Sequence, residues 1–236
     1  MSHVKNAEAF ARLISFCSGY EGKYNPGSPN LQVDALVNAL NETQQALERV
    51  KVARTNFDNG VNQRKQSFSP LPNLVSSILR TLEASGAKRE KILDARAFLH
   101  QIIGSSPKNP SSHRVENREA IPQKRRSQLQ LAFVSKVDAF SKLAQAVSSE
   151  PVYQPREKEF SRAGMEEKLL ELNKLNRDVD DLRGAWRRAI IERNEIMYLR
   201  DESMVRTAKS VKKYVRAIYG PFSAQYALVK SLEFNY

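Results

Sequence analysis

The sequence has few of the residues that form tight turns, disulfides and catalytic sites. It contains nine glycines, one cysteine and three histidines among 236 residues. So few glycines argue against the many turns of a β-sandwich or a doubly wound sheet. The start of the chain has no signal-peptide pattern, and no apolar run approaches the roughly 18 residues of a membrane-spanning helix. These absences predict an all-α protein of one or two domains that resides in the cytoplasm.

The residues that usually carry chemistry are isolated from one another. Cys17 has no second cysteine with which to form a disulfide or a zinc site, and its apolar surroundings predict a small buried hydrophobe. None of the histidines, at positions 3, 100 and 113, has a partner at a metal-ligand spacing. The acidic cluster at 178–181 is interpreted as a solvated helix face, because lysine and arginine lie within helical pairing distance. We therefore predict no metal, no cofactor, no catalytic residue and no enzyme.

Positive charge is in excess. The chain has 38 lysines and arginines against 26 aspartates and glutamates, which gives a net charge of +12 and an isoelectric point near 9.8. Charge of this size favours encounters with nucleic acid, ribosomes or acidic lipid, although it does so without specificity. The function class that composition favours is therefore a binding protein for polyanions.

The two halves of the sequence match each other, which predicts a tandem duplication. Phe10 and Leu13 match Phe140 and Leu143, and Tyr24-Asn25-Pro26 matches Tyr153-Gln154-Pro155. The match continues further along the chain with a small drift in spacing, pairing Leu40-Asn41, Ala53, Asn62 and Gly86 with Leu172-Asn173, Ala185, Asn194 and Gly220.

Each half is predicted to contain a short helix, a loop with proline, a long amphipathic helix and two shorter helices. The apolar seams of the long helices are expected in the core of an elongated helical bundle, because shorter helices of the same chain can cover them. A coiled-coil dimer stays open as an alternative. The expected core residues of the seams are Leu40, Leu47, Val50, Leu172, Val179, Leu182 and Trp186.

A basic segment separates the two halves. We predict a first helical repeat over 1–103, a linker rich in proline and serine over 104–128, and a second repeat over 129–236. The run Lys124-Arg125-Arg126 lies near the end of the linker. This run is typical either of a solvated connector or of a flexible basic arm that binds polyanions.

A second basic feature is predicted on a helix over 201–219. Met204, Ala208, Val211, Val215 and Ile218 follow helical spacing and form its apolar face. The opposite face carries cations spaced about one turn apart, a pattern that can follow a phosphate backbone. A surface helix kept soluble by its charges is the competing interpretation. The candidate polyanion-binding residues of the whole chain are Lys124, Arg125, Arg126, Arg206, Lys209, Lys212, Lys213 and Arg216.

Several short segments carry a resemblance to a known group of proteins. They are Tyr153-Gln154-Pro155, residues 185–194, residues 208–215 ending at Tyr219-Gly220, and in the first half Asn41 and Pro70-Leu71 with residues 82–85. In these segments the chain resembles uncharacterised tandem-repeat helical proteins of Bacteroidetes-type bacteria. The resemblance implies a duplicated helical architecture and a bacterial cytosol, and it implies no activity and no site residues.

Two functional hypotheses follow from the sequence. The first is a non-enzymatic protein that docks on RNA, a ribosome or DNA through its basic surfaces. The alternative is a structural or scaffold protein whose apolar seams bind a partner helix or another copy of itself, with the charge serving solubility. Salt-sensitive binding to nucleic acid favours the first, and self-association or capture of a protein partner favours the second.

Overall fold

The structure is a computed structural model and describes residues 3–20, 22–104 and 123–235, with the side chains of 123–130 outside the description. Every regular element in these residues is helical, and none of them forms a β-strand. The prediction of an all-α fold is confirmed.

Eight α-helices follow one another along the described residues, and α2 and α6 are the longest of them. The α-helices are α1 (His3–Ser18), α2 (Val33–Phe68), α3 (Leu71–Ala84), α4 (Arg89–Gly104), α5 (Gln123–Ser148), α6 (Arg162–Asn194), α7 (Met204–Tyr219) and α8 (Ala224–Lys230). A short 3₁₀ turn precedes each long helix, Pro29–Leu31 before α2 and Lys158–Phe160 before α6. A π-helical turn, Glu195–Leu199, follows α6.

Local sequence explains several helix ends. Ser161 and Ser223 accept hydrogen bonds from backbone N–H groups three residues later, Gly164 and Tyr226, and so cap α6 and α8. Gly86 and Gly220 follow the ends of α3 and α7 with φ of 75° and 89°. This left-handed region favours glycine, because a Cβ atom raises its energy.

The chain folds into two compact units that do not follow sequence order. Unit 1 contains Met1–Phe57 and Leu182–Tyr236, and unit 2 contains Asp58–Asp181. The boundaries fall inside α2 and α6, so each unit takes part of both long helices. Each unit therefore combines residues from both halves of the sequence.

The core of unit 1 is formed by α1, the start of α2, the π-helical turn, α7 and α8. Its fully buried side chains include Phe10, Leu13 and Leu36, which pack with the apolar face of α7. Tyr20 and Tyr219 pack at its edge, with ring centroids 5.3 Å apart. The burial of this apolar surface is the main source of stability for the unit.

The core of unit 2 is formed by α3, α4, α5 and the start of α6. Phe140, Leu143, Met165 and Leu172 are fully buried there and pack with the apolar faces of α3 and α4. Phe68 meets Phe133 edge-on at its margin, with ring centroids 4.8 Å apart. The core of unit 2, like that of unit 1, is thus built from buried aliphatic, aromatic and methionine side chains.

Buried residues of one core have buried counterparts in the other core at similar distances along the sequence. Phe10 and Phe140 are 130 positions apart, Leu36 and Met165 are 129 apart, and Val75 and Ala208 are 133 apart, all fully or almost fully buried. In the long helices the spacing of 129 is three residues shorter than the spacing of 132 in the sequence match. A shift of three residues is close to one helical turn, so both spacings keep the seam on one face.

The seam and linker predictions have mixed outcomes. Leu172, Val179 and Trp186 are buried, whereas Leu40, Leu47, Val50 and Leu182 are only partly buried. Of the predicted linker, residues 105–122 lie outside the described residues, and residues 123–128 form the start of α5. The predicted repeat boundaries stay a prediction.

Candidate functional site

Helix α7 presents one apolar and one basic side, as its sequence predicts. Met204, Ala208, Val211 and Val215 are buried in the core of unit 1. Ile218 follows the same helical spacing, but it is 49% exposed near the end of the helix. Burial of the other four fixes which side of α7 faces solvent.

The solvent side of α7 carries four cations, Arg206, Lys209, Lys213 and Arg216, which we call the α7 row. All four residues are exposed. Their steps of three and four residues place them on one side of the helix, over a length of about 15 Å at 1.5 Å per residue. Within α7 itself there is no acidic residue. The row is therefore a linear, positively charged surface.

The two ends of the α7 row contact neighbouring side chains. Arg206 pairs with Asp201, which precedes the helix, at 2.8 Å between Nη1 and Oδ1. The Arg216 guanidinium lies 5.8 Å from the centre of the Tyr226 ring on α8. Exposed ion pairs of this kind are worth about 0–1 kcal/mol, so a polyanion can replace Asp201 at low cost.

Lys212 has a structural partner. Its Nζ donates to the carbonyl oxygens of Lys230 and Leu232 at the end of α8, and it lies 5.3 Å from the centre of the Phe234 ring. Burial lowers the pKa of Lys212, and the nearby Glu233 carboxylate opposes that shift. The structure thus directs Lys212 toward the C-terminal segment, apart from the exposed row.

The predicted basic arm and the α7 row lie in different units. Residues 124–126 belong to the first part of α5, in unit 2, and the side chains of Lys124, Arg125 and Arg126 lie outside the described residues. Their role in binding stays a prediction. The described geometry of the candidate site therefore comes from α7 and the segment that follows it.

An exposed aromatic residue next to α7 was not found by sequence reasoning. Phe222 lies in the turn between α7 and α8, and its side chain is 100% exposed. It directly precedes Ser223, the N-cap of α8. An apolar residue just before an N-cap commonly packs against the first turn of the helix. The N-cap signal in the sequence therefore draws attention to Phe222, but it predicts a packed ring and not an exposed one.

Two arginine–aromatic contacts join α2 and α6 within unit 1. Phe57 stacks on Trp186 with ring centroids 5.5 Å apart. Arg54 lies over the Trp186 ring at 4.8 Å, and Arg183 lies over the Phe57 ring at 5.7 Å. Each helix thus supplies one ring and one guanidinium, and corresponding residues are again 129 positions apart.

A groove lies beside these contacts in unit 1. Its volume is about 630 Å³, and Arg49 pairs with Glu192 close by, at 3.0 Å between nitrogen and oxygen. Small and aliphatic side chains from both helices line much of it, namely Val52, Ala53, Leu182, Ala185 and Ala189. This lining suits an apolar helix rather than a charged ligand.

Cys17 and two of the histidines lie outside the α7 row. Burial raises the pKa of the Cys17 thiol to about 11, which keeps it protonated and a poor nucleophile at neutral pH. A ring nitrogen of His3 lies 2.7 Å from the Tyr198 hydroxyl, and His100 is exposed on α4. Among the described residues, no group of His, Cys, Asp or Glu could hold a metal ion.

Comparisons with protein-family models, curated protein sequences and solved structures return no match for this chain. In the described part of the chain, no helix is both long enough and apolar enough to cross a membrane.

Proposed function

We propose that the protein is a non-enzymatic helical binding protein that docks on a polyanion, RNA, ribosome or DNA, in the cytoplasm. The observation that carries the proposal is the α7 row, four exposed cations on one side of a helix whose other side is buried. A helix of this kind presents its charges at fixed spacing. When these charges neutralise phosphates, the nucleic acid releases counterions, and this release favours binding. The basic run Lys124-Arg125-Arg126 is proposed as a second contact.

The fold of unit 2 supports a role for the row beyond solubility. In the tandem duplication proposed below, α3 is the counterpart of α7, and the residues 133 positions before the row are Asn73, Ser76, Arg80 and Glu83. Glu83 in turn pairs with Arg96 of α4 at 2.8 Å between nitrogen and oxygen. A helix in the same packing environment thus does without a basic row, so packing alone does not require one.

The proposal is tested by fluorescence anisotropy with single-stranded RNA, duplex DNA and heparin at increasing salt. A variant with Lys209, Lys213 and Arg216 changed to glutamine removes three cations from the row. If all three contact phosphates, the slope of log K against log salt becomes shallower by about 2 for the single strand and by about 3 for the duplex, and affinity near physiological salt falls by roughly tenfold or more.

A matched control removes the same charge from unit 2. Arg80, Lys88 and Arg89 are exposed there, and changing them to glutamine leaves the same total charge as the α7 variant. We expect the control to bind almost as tightly as the native chain. Equal losses in both variants would contradict docking at α7 and would assign the binding to net charge alone.

We also propose that the fold arose by tandem duplication, with the two repeats combined reciprocally. The support is the recurrence of equivalent contacts in each unit. Tyr24 donates its hydroxyl hydrogen to the carbonyl of Leu31 at 2.7 Å, and Tyr153 does the same to Phe160 at 2.9 Å. Unit 1 combines the first part of one repeat with the last part of the other, and unit 2 combines the remaining parts of both. Neither repeat alone therefore contains a whole core.

A second candidate function is a scaffold that binds a helix. The groove between α2 and α6 supports this alternative, because its lining is largely aliphatic and includes Val52, which is half exposed and available to a partner. Another copy of the chain is the simplest occupant. Light scattering over a range of concentrations tests it, with self-association that Ala185→Arg abolishes as the expected result and a monomer at every concentration as the contradicting one.

A further inference from the structure

We infer that the docking surface selects single-stranded nucleic acid, with a base stacked on Phe222. This inference rests on the proposed function, because the α7 row supplies the phosphate contacts. It adds a contact to the bases, which duplexes and other polyanions do not present. It therefore names the partner class of the site as an unpaired strand of RNA or DNA.

The phenyl ring of Phe222 makes no contribution to the core. Its side chain is 100% exposed, although it precedes an N-cap, where an apolar side chain can pack on the following helix. Pro221, just before it, restricts its own φ, and Gly220 allows the positive φ of 89° with which the turn begins. An aromatic ring exposed to solvent is suited to stacking on a flat, apolar partner.

The end of the α7 row lies close to this turn. Arg216 is the last cation of the row, and its guanidinium contacts the ring of Tyr226 in the first turn of α8. Gly220 N–H donates to the Arg216 carbonyl at 3.0 Å, so the segment that carries Phe222 is hydrogen-bonded to the end of α7. A row of cations followed by an exposed ring is the arrangement by which proteins bind the backbone and bases of single strands.

The surroundings of Phe222 favour a base over a lipid bilayer. Insertion into a membrane needs several apolar side chains on the side that carries the cations. Ile218, the nearest exposed aliphatic residue of α7 larger than alanine, follows the helical phase of Val211 and Val215, away from the α7 row. The cations thus have one exposed aromatic ring beside their end of the helix, and on their own side of α7 the exposed aliphatic surface is the single methyl group of Ala217.

The experiment compares two probes with the same number of phosphates. One is a short single-stranded oligonucleotide, and the other is an abasic strand of equal length. Binding of each to the native chain and to Phe222→Ala is measured by anisotropy near physiological salt. We expect Phe222→Ala to weaken binding to the base-bearing strand by about tenfold, the effect of one lost stacking contact, and to leave binding to the abasic strand unchanged.

Two further variants separate stacking from apolar burial. Phe222→Trp keeps a flat ring and is expected to bind the base-bearing strand at least as tightly as the native chain. Phe222→Leu keeps an apolar side chain without a flat ring and is expected to behave like Phe222→Ala. Leu228→Ala, which removes an exposed aliphatic side chain from α8, serves as the control and is expected to change neither affinity.

Three results would overturn the inference. If Phe222→Ala leaves the base-bearing strand bound as before while the α7 glutamine variant still loses the abasic strand, the stacking role is wrong and the proposed function stands. If the native chain binds neither strand, both are wrong. If Phe222 is needed only for binding to vesicles that contain phosphatidylserine, and Phe222→Leu keeps that binding, the partner is a membrane.

Discussion

The two units of the molecule have similar interiors and different surfaces. Phe10 in unit 1 and Phe140 in unit 2, which the proposed duplication pairs, are both fully buried, and Gly86 and Gly220, also paired by it, each follow a helix with positive φ. Outside the cores the likeness ends. The solvent side of α7 carries four cations, whereas the equivalent side of α3 carries a mixture of neutral and charged groups.

The difference indicates which residues the fold requires. Core positions are filled by apolar side chains in both units, because loss of buried volume costs stability wherever it occurs. Surface positions carry no such requirement, and most surface substitutions change stability by about 0.5 kcal/mol or less. The α7 row and Phe222 have no counterpart at the paired positions of unit 2, which supports the proposal that they bind a partner while the shared positions serve folding.

The largest effect is expected from truncating the equivalent phenylalanines. Phe10→Ala and Phe140→Ala each remove a fully buried ring, and each is expected to cost about 3–5 kcal/mol of unfolding free energy. Hydrogen exchange resolves the two units, and each substitution should lower protection chiefly in its own unit. Val4→Ala, on the exposed side of α1, is the control and should change little.

A large loss for one phenylalanine and none for the other would break the comparison. It would show that only one of the two cores stabilises the chain.

A smaller effect is expected at the equivalent tyrosines. Tyr24→Phe and Tyr153→Phe each remove a hydroxyl that bonds a backbone carbonyl in the loop before a long helix. Each substitution is expected to cost about 1 kcal/mol, the usual value of one such bond. Thermal unfolding of both variants measures it, and a loss for only one of them would show that the two loops are held differently.

The smallest effect is expected for Cys17→Val, because the paired position in unit 2 already holds a valine. Cys17 and Val147 occupy corresponding buried positions, 130 residues apart. Cys17→Val conserves the apolar character of the position, so we expect a smaller change in unfolding free energy than for either tyrosine variant. Denaturant titration measures the change. A loss as large as that of Phe10→Ala would mean that the thiol has a role of its own.

Much of the fold could be predicted from the sequence because its signals are local. Helical spacing and the proline and glycine positions predict most of the helices, and α7 begins three residues after its expected start and ends at its expected end. The buried face of α7 is confirmed at Met204, Ala208, Val211 and Val215. These features depend on residues close together in the chain, so one sequence is sufficient to find them.

The combination of the helices into units could not be predicted. A spacing of 129 and one of 132 residues place nearly the same apolar seam on the long helix, so periodicity cannot choose between them. The reciprocal composition of the units depends on contacts between distant residues, such as Phe57 with Trp186. Sequence spacing carries no information about such contacts.

The candidate site was found in part. The α7 row follows from helical spacing, and the four cations are exposed as expected. Lys212 differs, because its ammonium group reaches the carbonyls that end α8, a tertiary contact that no local pattern indicates. Phe222 was missed because a large aromatic residue is expected to be buried, whereas the structure shows its ring in solvent.

The central claim is that the α7 row is the docking surface, and exchanging the outward faces of α7 and α3 tests it most directly. One variant gives α7 the residues of α3, as Arg206→Asn, Lys209→Ser and Arg216→Glu. A second adds the reverse changes Asn73→Arg, Ser76→Lys and Glu83→Arg, which restores the net charge of +12. Anisotropy with the abasic strand near physiological salt compares both with the native chain.

The account predicts that the first variant loses binding by tenfold or more and that the second recovers much of it, because the row has moved to an equivalent helix. The preference for a base-bearing strand should not return, since Phe222 stays in unit 1 while Lys88 holds the matching position in unit 2. Native affinity in the first variant would contradict the account.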